Sequence, residues 1–368
     1  MRAHLVDPSA FTLPYDHALA TALAGAGADV ELITSRFAYG EAPAPDGYEV
    51  REMFYRHARG AAGSRARLAA KLVEHVPDML RYRAVAAQAA DVVHFQWLPV
   101  QAIDRWLLPR RPTVLTAHDL LPREPRPGQA RFQRSLYDAV DAVVVHSEYG
   151  RGQLVEELGI DPGKVRMIHH GAFKHLTLQS AELPLPDDLR AVDGPVVLFF
   201  GLLRPYKGIE VLLDAWRGIE GAELWIVGRP RMPIEPLRAR APASVRFVPR
   251  YVSDAELPAF FRRADVVVLP YSRTERFDQS GVLATALAFG KPTVVSDVGG
   301  FGEVAAAGAA RLVPPDDRDA LRDAIAALLS DPQEREGLAW GALTAASGPY
   351  SWQEAAAQTL ALYRELVG

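Results

Sequence analysis

Apolar residues recur along this chain in two rhythms. Short, nearly continuous apolar runs have the length and composition of strands buried on both faces. Between them, apolar residues fall three and four positions apart, the spacing of a helix with one buried face. In the first half the runs predict strands at Ala3–Val6, Val30–Thr34, Val92–Phe95, Pro112–Thr116, Ala142–His146 and Val165–Ile168. In the second half they predict strands at Val196–Phe200, Leu224–Val227, Val245–Val248, Val266–Pro270 and Thr293–Ser296. Helical spacing or end signals mark about Asp16–Ala24, a helix from Ile209 to Trp216, Asp254–Arg263 with Ser253 as its cap, Gln279–Phe289, Asp316–Leu329 and Trp352–Leu366. The polar, Pro-rich stretch up to residue 194 reads as a linker, after which the alternation restarts.

Strand–helix alternation in both halves predicts an α/β chain of two doubly wound, Rossmann-like parallel sheets facing across a cleft. A length of 368 residues agrees, being more than one core usually accommodates. There are no cysteines, which excludes disulfides and thiolate metal sites, and no HExxH-like spacing points to a metal. A net charge of −4 gives no support to nucleic-acid binding. No run approaches the roughly 18 apolar residues of a membrane span, and MRAHLVDPSAF lacks a signal-peptide core. A cytoplasmic protein is therefore expected. Residues 56–87 are rich in arginine, with Arg56, Arg59, Arg65, Arg67, Lys71, Arg81 and Arg83 around Leu68, Leu72, Val73, Val76 and Leu80. A solvated basic helix face is the plainer reading. A surface for anionic lipid, with peripheral membrane contact, or for an anionic acceptor is the other.

Candidate chemistry gathers at the predicted strand ends, where open α/β sheets bind ligands. The run Val196–Phe200 ends at Gly201, and Arg204 and Lys207 follow before a helix begins. Two cations beside a helix N-terminus suit a phosphate or diphosphate. In the first half, four successive apolar segments carry histidine at or near their ends: His94 before Gln96 and Trp97, His118, His146, and His169 with His170. A shared cleft explains this better than four separate structural histidines. Residues 7–15, ending at Tyr15, follow the first strand but lack GxGxxG, so no dinucleotide is expected.

The second half resembles the donor domain of the GT-B retaining glycosyltransferases of family four. The matching elements are FFGLLRPYKGIEVLLDAW, LWIVGRP, VRFVPRYVSDAELPAFFRRADVVVLPY, DQSGVLATALAFGKPTVVSDVGGFGEV and GAARLVPPDD, in the family's order. The first half resembles the acceptor domain more loosely, through ALATALAGAGADVELIT, DVVHFQW, VLTAHDLLP, AVVVHSEYGRGQL and KVRMIHHGAF. The resemblance implies an acceptor domain over 1–175, a linker over 176–194 and a donor domain over 195–349. It also implies a C-terminal helix, about 350–368, that packs back on the first domain.

It further implies that Lys207, with Arg204 in place of an arginine usually found where Leu202 stands, holds the diphosphate of a UDP- or GDP-sugar. Gly201, Gly228, Arg229, Gln279, Ser280, Gly281, Val282, Leu283, Thr285 and Glu303 would line the donor site. Tyr15, His94, Gln96, Trp97, His146 and His170 would line the acceptor side, and His118 would stand near the reacting sugar. The family's two glutamates fall here on Phe277 and Thr285, so ribose recognition must differ, and Asp278 or Glu275 is left to approach the transferred sugar. The implied activity is retaining hexosyl transfer to a glycan, lipid-linked or small-molecule hydroxyl, serving polysaccharide biosynthesis, with no metal or other cofactor. A sugar-nucleotide epimerase and a non-catalytic nucleotide or glycan binder remain the alternatives.

Overall fold

The computed structural model describes every residue of the chain except 39, 41, 59–63, 123–127, 180 and 181. Arg59 of the basic segment lies outside the described residues. The chain divides into two compact units. The first comprises Met1–Gly171, Arg276–Asp278 and Trp352–Gly368, and the second Ala172–Glu275 with Gln279–Ser351.

The first unit is built on a sheet of β1 (Arg2–Asp7), β2 (Asp29–Ser35), β3 (Glu49–Phe54), β4 (Val92–Phe95), β5 (Thr113–Thr116), β6 (Ala142–Val145) and β7 (Val165–Met167). Every pairing is parallel and the order is β3-β2-β1-β4-β5-β6-β7. The order reverses between β1 and β4, which opens a crevice beyond their C-terminal ends. The central strands β4, β5 and β6 are buried throughout, as continuous apolar runs require. β3 was not visible in the pattern. It is an edge strand with four exposed residues, Glu49, Val50, Arg51 and Glu52, so its sequence shows no apolar run.

The second unit repeats the plan with β8 (Val196–Phe200), β9 (Glu223–Val227), β10 (Val245–Val248), β11 (Val266–Leu269), β12 (Thr293–Ser296) and β13 (Arg311–Val313). The order is β10-β9-β8-β11-β12-β13, all parallel, and reverses between β8 and β11. β13 is again an edge strand, exposed at Arg311 and Leu312, and again escapes the pattern. The stretch read as a linker carries a 3-10 turn at Lys174–Leu178 and a short helix at Asp187–Arg190, both in this unit. The helix expected from Asp254 begins at Leu257, because the Ser253 N–H and hydroxyl both bond the Glu256 carboxylate in a preceding turn.

The C-terminal helix Trp352–Val367 belongs to the first unit and packs on the helix Leu13–Gly25. One polar contact fixes it to the sheet. His94 of β4 meets Tyr363 Oη through Nδ1 at 2.7 Å and Thr116 Oγ1 through Nε2 at 2.7 Å. All of this is buried. Tyr363→Phe therefore leaves a buried ring nitrogen without its partner. We expect a loss of about 1–3 kcal/mol, read as a lower denaturation midpoint.

Candidate active site

The strongest chemistry in the second unit follows β8. Its last residue is succeeded by Gly201, then by a loop that tightens into a 3-10 turn at Pro205–Lys207. Gly208 closes the turn at φ +68° and leads into the helix Ile209–Trp216. That helix buries Ile209, Leu212, Leu213, Ala215 and Trp216, so its N-terminus is anchored beside the strand end. A Cβ on Gly208 would lie 1.7 Å from the Pro270 carbonyl oxygen, and one on Gly228 (φ +143°) would lie 1.8 Å from the Gly201 carbonyl oxygen. The loop is thus pressed against the ends of β9 and β11. Leu203 N–H donates to Arg229 O at 3.0 Å, and Arg231 N–H to Leu203 O at 2.9 Å, which ties the loops after β8 and β9 together.

This packing carries Lys207 inward. Its Nζ donates to Tyr271 Oη at 2.6 Å, and Tyr271 Oη meets Ser280 Oγ at 3.1 Å. Ser280 caps the helix Gly281–Ala288, accepting from Val282 N–H at 3.2 Å. A buried ammonium is therefore wired, through two hydroxyls, to the positive end of a helix. Arg204 sits in the same loop, and its Nε is buried with no hydrogen-bond partner among the described residues. A buried ammonium beside a helix N-terminus favours an anion with several oxygens, such as a diphosphate, and Arg204 adds a second cation to the same loop.

The other expected donor residues take simpler places. Gln279 accepts from Ser280 N–H through Oε1 at 2.9 Å, and Leu283 is buried in the helix. Thr285 is buried and its hydroxyl donates to Gly281 O at 2.8 Å, so it serves its own helix. Glu303 lies in the first turn of the helix Phe301–Ala306, and its charge acts on Tyr350. Glu275 is exposed. Tyr271, the hydroxyl that joins Lys207 to Ser280, escaped the sequence reading, although it directly follows the run that forms β11.

In the first unit, strand ends bring together the residues expected on the acceptor side, with one exception. Tyr15 lies edge-on to His118 (4.6 Å between ring centroids), His170 (5.0 Å) and Trp352 (4.9 Å), and tilted to His146 (5.5 Å). Trp97 stacks on His118 at 5.3 Å, and its Nε1 donates to Thr12 Oγ1 at 3.0 Å. His118 Nε2 meets Gln96 Oε1 at 3.1 Å, while Gln96 Nε2 is buried and unpartnered among the described residues. The exception is His94, whose nitrogens are both engaged by Tyr363 and Thr116. Trp352 was missed as a site residue. Gly171 makes room for it, since a Cβ there would stand 2.3 Å from the indole. Its only signal was the SW pair before the last helix.

Asp278, expected beside the transferred sugar, is placed differently. It is fully buried in the first unit. His146 N–H donates to its Oδ2 at 2.6 Å, and the Ser147 hydroxyl donates to its Oδ1. Gly150 has no side chain because a Cβ would come within 2.7 Å of that carboxylate. Phe277 beside it is buried and bridges Asp119. The carboxylate fastens the segment 276–278 to the end of β6, and its oxygens are taken.

Burial keeps the His146 and His170 imidazoles neutral. It lowers His146 to about 3 and His170 to about 4, and His94 likewise to about 3. His146 Nδ1 donates to Ile168 O at 2.9 Å, which leaves Nε2 as an acceptor, buried and unpartnered among the described residues. At the end of β1, burial raises Asp7 and, well above the usual range, Asp16, each carboxyl also feeling the other.

Among the described residues no cluster of three or more His, Asp or Glu side chains is arranged to hold a metal ion. No described helix is long and apolar enough to cross a membrane.

Comparison with known proteins agrees with this division. A family model described as "Glycosyl transferases group 1" matches residues 194–331, and one described as "Glycosyltransferase Family 4" matches residues 15–172. A D-inositol 3-phosphate glycosyltransferase of Xylanimonas cellulosilytica is 31% identical over 383 residues, covering 94% of this chain and 89% of its own. The chain belongs to glycosyltransferase family 4. A phosphatidyl-myo-inositol mannosyltransferase of Mycobacterium leprae is 39% identical over 180 residues, 46% of each chain. Among solved structures, a sucrose-phosphate synthase from Thermosynechococcus elongatus superposes with a TM-score of 0.77 at 22% identity, covering 100% of this chain and 99% of that one. Anabaena HepE, solved with UDP and glucose, gives 0.75 at 18% over the full length of both. These likenesses place the glycosyltransferase in the GT-B fold.

Two predictions follow from the geometry. In this glycosyltransferase Gly208→Ala must expel the Pro270 carbonyl from its contact. We expect a loss of about 2–4 kcal/mol in urea unfolding, together with weakened anion binding at Lys207. The second concerns acid. Histidines held near 3 to 4 when folded take up protons on unfolding at any pH between there and 6.5, so each contributes stability that is full above 6.5 and lost as pH falls. The slope is about 1.4 kcal/mol per pH unit for each group. Asp7 and Asp16, raised when folded, act in the opposite sense and offset part of this. Denaturant midpoints should therefore fall between pH 6.5 and 4.5. A flat profile would mean that the cluster is not held neutral.

Proposed function

We propose that this glycosyltransferase moves a hexose from a UDP- or GDP-sugar to a hydroxyl acceptor with retention at the anomeric carbon. The observation that carries the reading is the Lys207–Tyr271–Ser280 chain, with Arg204 in the same loop. In transfer, the bond from the anomeric carbon to the diphosphate oxygen breaks and the bond to the acceptor oxygen forms on the same face. The acceptor proton passes to the departing diphosphate. Negative charge grows on that leaving group, and Lys207, Arg204 and the N-terminus of Gly281–Ala288 stand ready for it without reorganisation. This reading asks for no metal, because the protein's own cations do the neutralising.

The first unit supplies the acceptor side. An aromatic crevice with Gln96 Nε2 and His146 Nε2 unpartnered among the described residues suits a polyhydroxy ring, which needs scattered donors and acceptors over flat apolar surfaces. Relatives named for inositol-based acceptors support such a ring, and structural neighbours solved with UDP or UDP-glucose support a uridine donor. In this reading His118, stacked on Trp97 and bonded to Gln96, positions the sugar. Asp278 holds structure and takes no part in the chemistry. The epimerase and the non-catalytic binder are not favoured, since the relatives are named as transferases.

Calorimetry with a panel of nucleoside diphosphates and their sugars tests the proposal. We expect one base to bind and Lys207→Ala to abolish that binding, with turnover reduced by about 10²–10³. Binding that ignores the substitution would place the nucleotide elsewhere. Product of inverted anomeric configuration, read by proton NMR, would overturn retention.

A further inference from the structure

The helix Arg65–Ala89 buries Met79, Tyr82 and Ala86 together with two polar side chains, yet leaves a second set of apolar residues outside. Leu68, Leu72, Val73 and Leu80 are each more than half exposed, and Val76 is exposed too. Leu68, Leu72, Val76 and Leu80 repeat every fourth position, so they form one row, about 18 Å long, with Val73 beside it. Ala66, Ala69 and Pro77 fill the same exposed face. The inward face carries His75 and Asp78, both buried. His75 bridges Tyr55 Oη (2.7 Å) and Asp104 Oδ1 (2.5 Å), while Asp78 Oδ2 accepts from Tyr55 N–H at 2.7 Å. Rolling the helix to hide its leucines would strand those buried groups, so the apolar row is locked outward.

The charges around the row have one sign. Arg65 and Arg81 are exposed, and Arg67, Lys71 and Arg83 are partly so. The helix's two carboxylates are engaged, Asp78 by Tyr55 N–H and the Arg81 guanidinium and Glu74 by the His57 backbone, so Arg81 is already paired and Arg65, Arg67, Lys71 and Arg83 form the positive rim. Two aromatic residues extend the surface. Trp106 is 67% exposed beside Arg83, which reaches its carbonyl, and Phe11 is 54% exposed with Lys71 Nζ 5.8 Å from its ring. Phe11 also packs on Trp97, the ring that stacks on His118. An aliphatic row rimmed by cations and tipped with aromatic rings matches the boundary between headgroups and acyl chains of an anionic bilayer.

We infer that the helix Arg65–Ala89, with Phe11 and Trp106, seats the first unit on a membrane surface containing anionic lipid. The row lies in the plane of the interface, the leucines and valines enter it, and the arginines meet the headgroups. Through Phe11 and Trp97 the seat is continuous with the crevice holding His118, which would open at the lipid surface. The docking is independent of sugar transfer and is measured without it.

The test is flotation of the full chain with vesicles of phosphatidylcholine alone and with roughly one-third phosphatidylglycerol. We expect the protein to float with the anionic vesicles only. Leu72→Glu with Val76→Glu should lower that binding at least about tenfold, with circular dichroism and nucleoside diphosphate binding unchanged. Arg65→Ser with Arg83→Ser should weaken it by roughly fivefold for each charge removed and leave the fold intact. Failure to float with either vesicle overturns the inference, as does flotation indifferent to both variants. Self-association in sedimentation velocity, lost in the glutamate variant while vesicles do not bind, would assign the face to a second copy of the chain.

Discussion

A buried ammonium beside the positive end of a helix favours an anion as its neighbour. Lys207 is held there by Tyr271 and Ser280, and Ser280 is itself the cap of that helix. The arrangement is maintained by the rest of the second unit: the close approaches of Gly208 to Pro270 and Gly228 to Gly201, and the apolar face of Ile209–Trp216. Those contacts hold the cation in place before any ligand arrives, so that a developing negative charge meets donors already oriented.

The first unit solves a different problem. Its crevice is lined by rings rather than ions, and burial keeps those imidazoles uncharged. Neutral rings offer hydrogen bonds and flat contact to a polyhydroxy ring. In the proposed reaction the two crevices are thus chemically sorted, one for the donor's diphosphate and one for the acceptor's hydroxyl-bearing ring. The neutral cluster has an energetic consequence, since it withholds from the folded state protons that the unfolded chain would accept in acid.

Much of the fold and part of the candidate site were legible in the sequence. Buried parallel strands must be nearly continuous apolar runs, so eleven of the strands announced themselves, and with them the strand ends where Lys207, His118, His146 and His170 stand. The edge strands β3 and β13 did not, because half-exposed strands carry charge like loops. What single-chain spacing could not reveal were partners far apart in sequence. Tyr271 is 64 residues from Lys207, and Trp352 closes on Tyr15 from the far end of the chain. The basic character of residues 65–83 was plain, but which face turned outward depended on the buried bonds of His75 and Asp78.

The most informative departure is at the family's two acidic positions. At the first, Phe277 is buried within the first unit, and the adjoining carboxylate of Asp278 accepts from His146 N–H and the Ser147 hydroxyl. At the second, Thr285 returns its hydroxyl to its own helix. A short carboxylate satisfied by a backbone amide and a hydroxyl in a dry site is costly to pull away, because both donors would be left unpaired. Here the acidic residue nearest the first position fixes the segment 276–278 to the end of β6. In the proposed reaction the ammonium of Lys207, the Nε of Arg204, unpartnered among the described residues, and the capped helix Gly281–Ala288 are left to meet the donor's charge. A donor with a diphosphate fits that electrostatics, and a chemistry that relied on a free carboxylate there does not.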